Sequence, residues 1–248
     1  MLLKGECIMN WYLPKEHGAW AMLIVPYLLG VLGTSFSMWQ ILFFLGIFTV
    51  YCSSGPFLAY IRQPKLGAEV LPPILICGFI GAVCVLPVLI KYPFLLLIIV
   101  LATPFFTLNI YFAKKKKERL FINDLSAIIG LSTLTLMAYY IGEQSVNLTA
   151  WVLFILSVLF FTASVLHVKS LIRERKNRYF QMFNYSYHSL LLIMPLLFGF
   201  AGLSLLFVGS LLRTVFFPRK TMLKPMKIGM VEIITSILFV VLTGVVFY

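Results

Sequence analysis

Apolar residues dominate this chain in long blocks, and polar residues gather between the blocks. A helix that crosses a bilayer needs about 20 mostly apolar residues. Runs of that kind fall at about 18–36, 39–58, 72–90, 93–112, 122–142, 149–168 and 228–247, and each predicts a spanning helix. The stretch 182–217 is different: too long for one span and about right for two. Gly199-Phe200-Ala201-Gly202 at its middle supplies a break at which the chain can turn. The alternative is one long tilted helix with an interfacial extension.

The polar segments arbitrate between these two. With two helices in 182–217 the chain has nine spans. All but Lys91 of the 20 basic residues then fall in segments on one side: the N-terminal stretch, 59–71, 113–121, 169–181 and 213–227. With eight spans the last basic group moves to the wrong side. Cytoplasmic loops collect Lys and Arg, so the charge pattern predicts nine spans, a cytoplasmic N-terminus and an external C-terminus. The first apolar run starts late and is of full span length, so it reads as a span rather than as a cleaved signal peptide.

Composition sharpens this picture. Of 248 residues, 61% are hydrophobic and 11% charged, and the mean hydropathy is +1.01. Soluble domains carry about a quarter charged residues, and disordered chains carry more charge and less apolar content. The fold class is therefore all-α: a polytopic transmembrane helical bundle of nine helices, alternatively eight, forming a single domain over 1–248. The net charge of +12 labels the cytoplasmic face and its anionic lipids, and points away from nucleic acid. Cys7, Cys52, Cys77 and Cys84 show no metal-ligand spacing, and Cys77 and Cys84 lie too far apart on one helix for a disulfide.

Polar residues at membrane depth are expensive and mark function by default. Glu16 and His17 open the first span and point to a shared inner vestibule. Asp124, one of only 8 acidic residues, sits with Asn123 at the start of the fifth span. The segment from His167 to Arg178 is the richest. On a helix continued past the membrane, His167, Ser170, Glu174 and Arg178 share one face, and Lys169, Arg173 and Lys176 another. Glu16, His17, Asp124, His167 and Glu174 are the candidate acid–base residues. Arg62, Lys65, Lys169, Arg173 and Arg178 suit an anionic head such as phosphate, diphosphate or carboxylate. Glu232, about one turn inside the last span, needs a basic partner, and a neighbouring inner loop is the expected source.

The opening Pro14-Lys15-Glu16-His17-Gly18-Ala19-Trp20-Ala21-Met22-Leu23, with Pro26 and Gly30, resembles the start of the YwiC-like family of bacterial membrane proteins. The His167…Arg173-Glu174-Arg175 and Gly229…Glu232 segments are similar to that family's pattern too. The resemblance implies a multi-pass protein of the bacterial plasma membrane. Nine helices with enlarged loops after the second and sixth are also similar, more distantly, to UbiA-type intramembrane prenyltransferases. That likeness implies two Asp-rich motifs holding magnesium and a prenyl diphosphate. From Cys52 to Lys65 there is no Asp or Glu, and the later loop offers only Glu174. The resemblance therefore carries a scaffold and not the magnesium site, and no metal ligand or cofactor is assigned.

Three functions follow for weighing. The first is a UbiA-like enzyme, or a degenerate relative with prenyl- or lipid-transferase character, whose ligand is an isoprenoid or phospholipid with an anionic head. The second is a non-catalytic membrane scaffold or assembly factor. The third is a small-solute transporter whose path would be lined by Ser132, Thr133, Thr135, Thr162 and Ser164.

Overall fold

The computed structural model describes residues 17–216 and 225–247. They form nine α-helices and one short 3₁₀ turn, with no strand among the described residues. The helices are α1 (His17–Leu32), α2 (Met38–Arg62), α3 (Gly67–Lys91), α4 (Leu95–Lys114), α5 (Phe121–Glu143), α6 (Leu148–Ile172), α7 (Arg178–Leu197), α8 (Ala201–Phe216) and α9 (Pro225–Phe247), with the 3₁₀ turn at Pro64–Leu66 between α2 and α3.

The expected break in 182–217 is present. α7 ends at Leu197, and Gly199 adopts φ +80°, the left-handed conformation that glycine enters without penalty. The Phe200 N–H donates to the Pro195 carbonyl (2.8 Å) and the Gly199 N–H to the Leu196 carbonyl (3.1 Å). These two bonds close the last turn of α7 in the Schellman pattern. The chain then re-enters as α8, so two helices occupy this stretch and the eight-helix alternative falls.

Six helices, α2 to α6 and α9, are long and apolar enough to cross a membrane. α1 and α8 are apolar but have 16 residues each, about 24 Å of rise against a hydrocarbon core of about 30 Å. α7 carries its polar residues toward its N-terminal end, from Arg178 to Ser189. The protein is a helical, multi-pass membrane protein.

Two compact units divide the described residues: 37–127 in one, and 17–36 with 128–216 and 225–247 in the other. In the first unit α2 opens with a capping box. Ser37 Oγ accepts from the Trp39 N–H (3.3 Å), and Gln40 Oε1 accepts from the Ser37 N–H (2.9 Å). α2 and α3 then pack backbone to backbone at Gly46 and Gly81. A Cβ on Gly46 would lie 3.2 Å from the Gly81 carbonyl, and a Cβ on Gly81 would lie 3.2 Å from the Gly46 carbonyl. At one end Lys91 Nζ sits 4.2 Å from the Trp39 ring centroid. At the other, Arg62 Nε reaches Glu118 Oε1 at 2.5 Å. Ser126 Oγ donates to the Phe105 carbonyl (2.9 Å), tying the start of α5 to α4.

The second unit is built from α1, the rest of α5 and α6–α9. Its core is aromatic and aliphatic, with Leu29, Phe160, Phe161, Leu191, Phe207 and Phe239 buried together. Phe160 of α6 and Phe239 of α9 stack at 4.1 Å with ring planes 9° apart. Buried hydroxyls stitch the helices where the packing is closest: Ser132 to Ser157 (3.1 Å), and Thr135 Oγ1 donating to the Pro26 carbonyl (2.8 Å). Two basic residues assigned above to loops lie elsewhere. Arg213 is inside α8 and Lys169 inside α6, and both are buried.

The close approach of α2 and α3 yields a direct test. In Gly46→Leu the new side chain meets Val85 Cγ2 and the α3 backbone. The expected loss is about 1–3 kcal/mol, typical of an overpacked contact, read as a lower unfolding temperature in detergent. A variant as stable as the parent would contradict this packing.

Candidate functional site

The second unit buries polar side chains at one end, where the α6–α7 connection and the two flanking helix ends of α8 and α9 lie. The local chain explains the corner. α6 stops at Ile172, and Asn177 caps α7 by accepting from the Phe180 N–H (3.2 Å). Gln181 in the first turn of α7 turns back, and its Nε2 donates to the carbonyls of Ser170 (2.7 Å) and Glu174 (3.2 Å). The Ser170 carbonyl is one that the end of α6 leaves without an intrahelical partner, and the Glu174 carbonyl, in the connection, also accepts from the Asn177 N–H (3.0 Å).

Inside this corner lies an ion pair between Arg213 of α8 and Glu232 of α9. Their side chains are 3% and 4% exposed, and Arg213 Nη1 donates to Glu232 Oε2 at 2.5 Å. Arg213 Nη1 also donates to Thr235 Oγ1 (2.8 Å), and Nη2 to Ser210 Oγ (3.2 Å). Ser164 of α6 donates its hydroxyl to Glu232 Oε2. The guanidinium carbon stands 5.9 Å from the Phe160 ring centroid, a cation–π distance. Buried charges survive only when paired and hydrogen-bonded, and three helices supply the groups that do this.

Next to the pair lie two histidines. Thr214 Oγ1 donates its one proton to the Ser210 carbonyl (2.9 Å), so at its 3.2 Å contact with His167 Nδ1 it accepts. His188 Nδ1 lies 2.8 Å from the Asn184 carbonyl, which can only accept. Both rings therefore carry their proton on Nδ1, as the hydrogen bonds dictate. The rings face each other edge-on at 6.5 Å. Asn184, one helical turn before His188, is fully buried. Among the described residues its amide oxygen and nitrogen reach no hydrogen-bond partner, nor do Arg213 Nε and Glu232 Oε1.

The candidates from sequence divide as follows. His167 and Lys169 are buried in this corner, while Arg173 and Arg178 are exposed on its rim. Glu174 is half-buried and accepts from Asn177 Nδ2 (2.8 Å). Because α6 ends at Ile172, Glu174 and Arg178 do not continue the His167 face as expected. Arg62, Lys65 and Asp124 belong to the first unit: Arg62 is engaged with Glu118, Lys65 is exposed in the 3₁₀ turn, and Asp124 is half-buried in the first turn of α5. His17 opens α1, its side chain lying outside the described residues, as does Glu16. Sequence reasoning missed His188, Asn184 and Arg213 as site residues. The signal for the first two was their i, i+4 spacing among apolar neighbours. Magnesium asks for clustered carboxylates. Among the described residues no three His, Cys, Asp or Glu side chains come together to hold a metal.

Comparison with known proteins places this geometry in context. A family model described as YwiC-like protein matches residues 13–139. The Bacillus subtilis protein named "Uncharacterized protein YwiC" is 34% identical over 228 residues, 92% of this chain and 94% of its own. A protein of Haemophilus influenzae is 31% identical over 236 residues, 94% of this chain and 98% of its own. The family model ends within α5, whereas both relatives match more than nine-tenths of the chain. No solved structure matches the chain.

The ion pair makes an asymmetric prediction. Glu232→Gln alone strands the Arg213 charge and should cost about 3–5 kcal/mol. Removing both charges in Arg213→Met/Glu232→Met should cost distinctly less. Thermal unfolding of the purified protein checks both; a double variant no more stable than the single would refute the pairing.

Proposed function

The chain belongs to the YwiC-like family, and from that premise we propose that it is a plasma-membrane protein whose second unit binds an amphiphile with an anionic head, a phospholipid or an isoprenoid phosphate. One observation carries this reading: an apolar groove and the buried polar corner occupy successive turns of the same three helices. The groove, about 370 Å³, is lined among others by Ile155 and Leu159 of α6, Leu191 and Met194 of α7, and Leu203 and Phe207 of α8. His188 follows Leu191 by one turn toward the corner. From Leu159 to His167 the rise is about 12 Å. An apolar wall with a few polar groups at one end is the composition of a site for a small amphiphile. The rim residues Arg173 and Arg178, with Lys176 between them, draw anionic heads toward that end by long-range attraction.

In this reading the basic connections face the cytoplasm, so the head is approached from inside the cell and the tail from the bilayer. The scaffold is of the UbiA type without its paired acidic motifs. A transporter fits less well. The hydroxyls proposed for its path are engaged elsewhere: Ser132 with Ser157, Thr133 with the Gly130 carbonyl, Thr135 with the Pro26 carbonyl. A scaffold role does not account for a groove aligned with a polar corner.

The test is retention of lipid. Protein purified in mild detergent and analysed by native mass spectrometry should keep phosphatidylglycerol or an isoprenyl phosphate and release phosphatidylcholine. Leu191→Trp, which fills the groove, should reduce retention at least several-fold. Arg173→Ala/Arg178→Ala should weaken it mainly at low salt, because exposed charges are screened. Retention of no anionic amphiphile, or equal retention after the groove is filled, would overturn the reading.

A further inference from the structure

The first unit ends in a basic surface that the amphiphile site of the second unit does not use. It lies where α2 passes into α3 and α4 into α5. Residues 60–69 and 111–124 carry seven basic and three acidic side chains, so this end is positive even with every acid counted. The two connections are joined by the contact of Arg62 with Glu118 at 2.5 Å. Lys65 in the 3₁₀ turn and Lys114, Lys115, Lys116 and Lys117 are all exposed. Each of α2, α3, α4 and α5 is long and apolar enough to cross a membrane, so the connections between them stand at headgroup depth.

No single exposed lysine makes a site; the backbone beneath these four distinguishes them from a loose charge run. α4 closes in a Schellman turn, in which the Lys117 N–H donates to the Phe112 carbonyl (2.9 Å) and the Lys116 N–H to the Ala113 carbonyl (3.0 Å). Lys116 occupies the left-handed position of that turn at φ +56°. Glycine enters this conformation freely, whereas a residue with a Cβ is strained in it. Folding alone would be served better by glycine. A side chain kept at such an angle points to a use for that side chain. Lys115 is placed as well: its Nζ stands 4.5 Å from the Tyr111 ring centroid, a cation–π distance. Tyr111 is itself exposed near the end of α4, the depth at which aromatic rings meet headgroups.

The residue type narrows the partner. An ammonium is a compact, hydrated point charge without the fixed fork of a guanidinium, so it selects by number of charges rather than by the shape of one oxyanion. At headgroup depth the anions in reach are lipid phosphates. A lipid that links two phosphodiesters through one glycerol brings two negative charges to one turn, and once the first is bound the second binds as an intramolecular partner.

We propose that the Lys114–Lys117 turn, with Lys65 on the connection joined to it through Arg62 and Glu118, is a docking surface for anionic phospholipid headgroups that prefers a lipid with two phosphates, of the cardiolipin type. The surface belongs to the first unit and does not rest on the groove of the second.

Native mass spectrometry tests this on the full chain released from nanodiscs of dioleoyl phosphatidylcholine with equal small shares of tetraoleoyl cardiolipin and dioleoyl phosphatidylglycerol. The parent should retain cardiolipin several-fold over phosphatidylglycerol, and the preference should fade as salt is raised. Lys115→Gln/Lys116→Gln/Lys117→Gln should lower cardiolipin retention about tenfold or more. Lys91→Gln, at the opposite end of the unit, should retain it like the parent. Lys116→Gly separates binding from folding: it should unfold at a higher temperature and yet retain less cardiolipin, whereas a lysine with only a structural role would not move the two in opposite directions. Equal retention of cardiolipin by the triple variant and the parent would overturn the proposal, as would a parent that does not prefer cardiolipin to phosphatidylcholine. Cardiolipin lost on Leu191→Trp but kept by the triple variant would assign the preference to the groove and sink this surface alone. Single-stranded RNA bound by the parent in pure phosphatidylcholine nanodiscs, and not by the triple variant, would replace the lipid with a nucleic acid.

Discussion

A buried ion pair organises the second unit. Arg213 and Glu232 are 19 residues apart in sequence and come from different helices, and neither can be buried without the other. An isolated charge in an apolar medium is costly enough that the group would rather be neutral or the helix elsewhere. The attraction between two charges repays desolvation only with further hydrogen bonds. That requirement explains the hydroxyls around the pair: Ser164 on the carboxylate, and Thr235 and Ser210 on the guanidinium. Phe160 carries the constraint into the core, because its ring lies beside the guanidinium and stacks on Phe239 of the helix that bears Glu232.

Much of the fold was legible because lipid is a simple solvent. Every backbone N–H and C=O in hydrocarbon must be bonded within its own segment, so length and apolarity alone identify most helices. The division of 182–217 was legible for a local reason: a glycine in the middle of an overlong apolar run is where a helix can end in a left-handed residue, and Gly199 does so. The buried corner was only half legible. Glu232 was recognisable as needing a basic partner, but that partner is Arg213 of α8 rather than a loop residue. Counting Lys and Arg as loop markers assumes each stays in water. A residue neutralised by a buried carboxylate leaves that rule, and nothing local to Arg213 reveals which case holds. Asn184 and His188 were obscured for a different reason. They lie within the stretch 182–217 that reads as two apolar spans, and only packing against α6 and α8 buries them.

The first unit shows why a charged residue near a helix end is weak ground for a site. Arg62 and Glu118 form an ion pair whose side chains are 42% and 31% exposed, where water and salt screen the attraction and pairs contribute little. The same residue types in the second unit are sealed by aromatic packing. Burial, more than identity, separates a surface label from a group able to act on a ligand, and sequence spacing carries little information about burial in a bundle whose helices are apolar on most sides.

Asn184 stands in the opposite relation to the ion pair. Arg213 and Glu232 compensate each other, so their burial is offset by the contacts they make. The Asn184 amide is fully buried, and among the described residues neither of its polar atoms reaches a partner. Such a group costs about 1–3 kcal/mol. The packing of α7 against α6 and α8 has to outweigh that cost, which the apolar side chains two turns along α7, Leu191 with Phe160 and Phe207, are placed to do. One corner thus holds both a pair of charges that packing can seal and an amide that packing alone leaves unsatisfied.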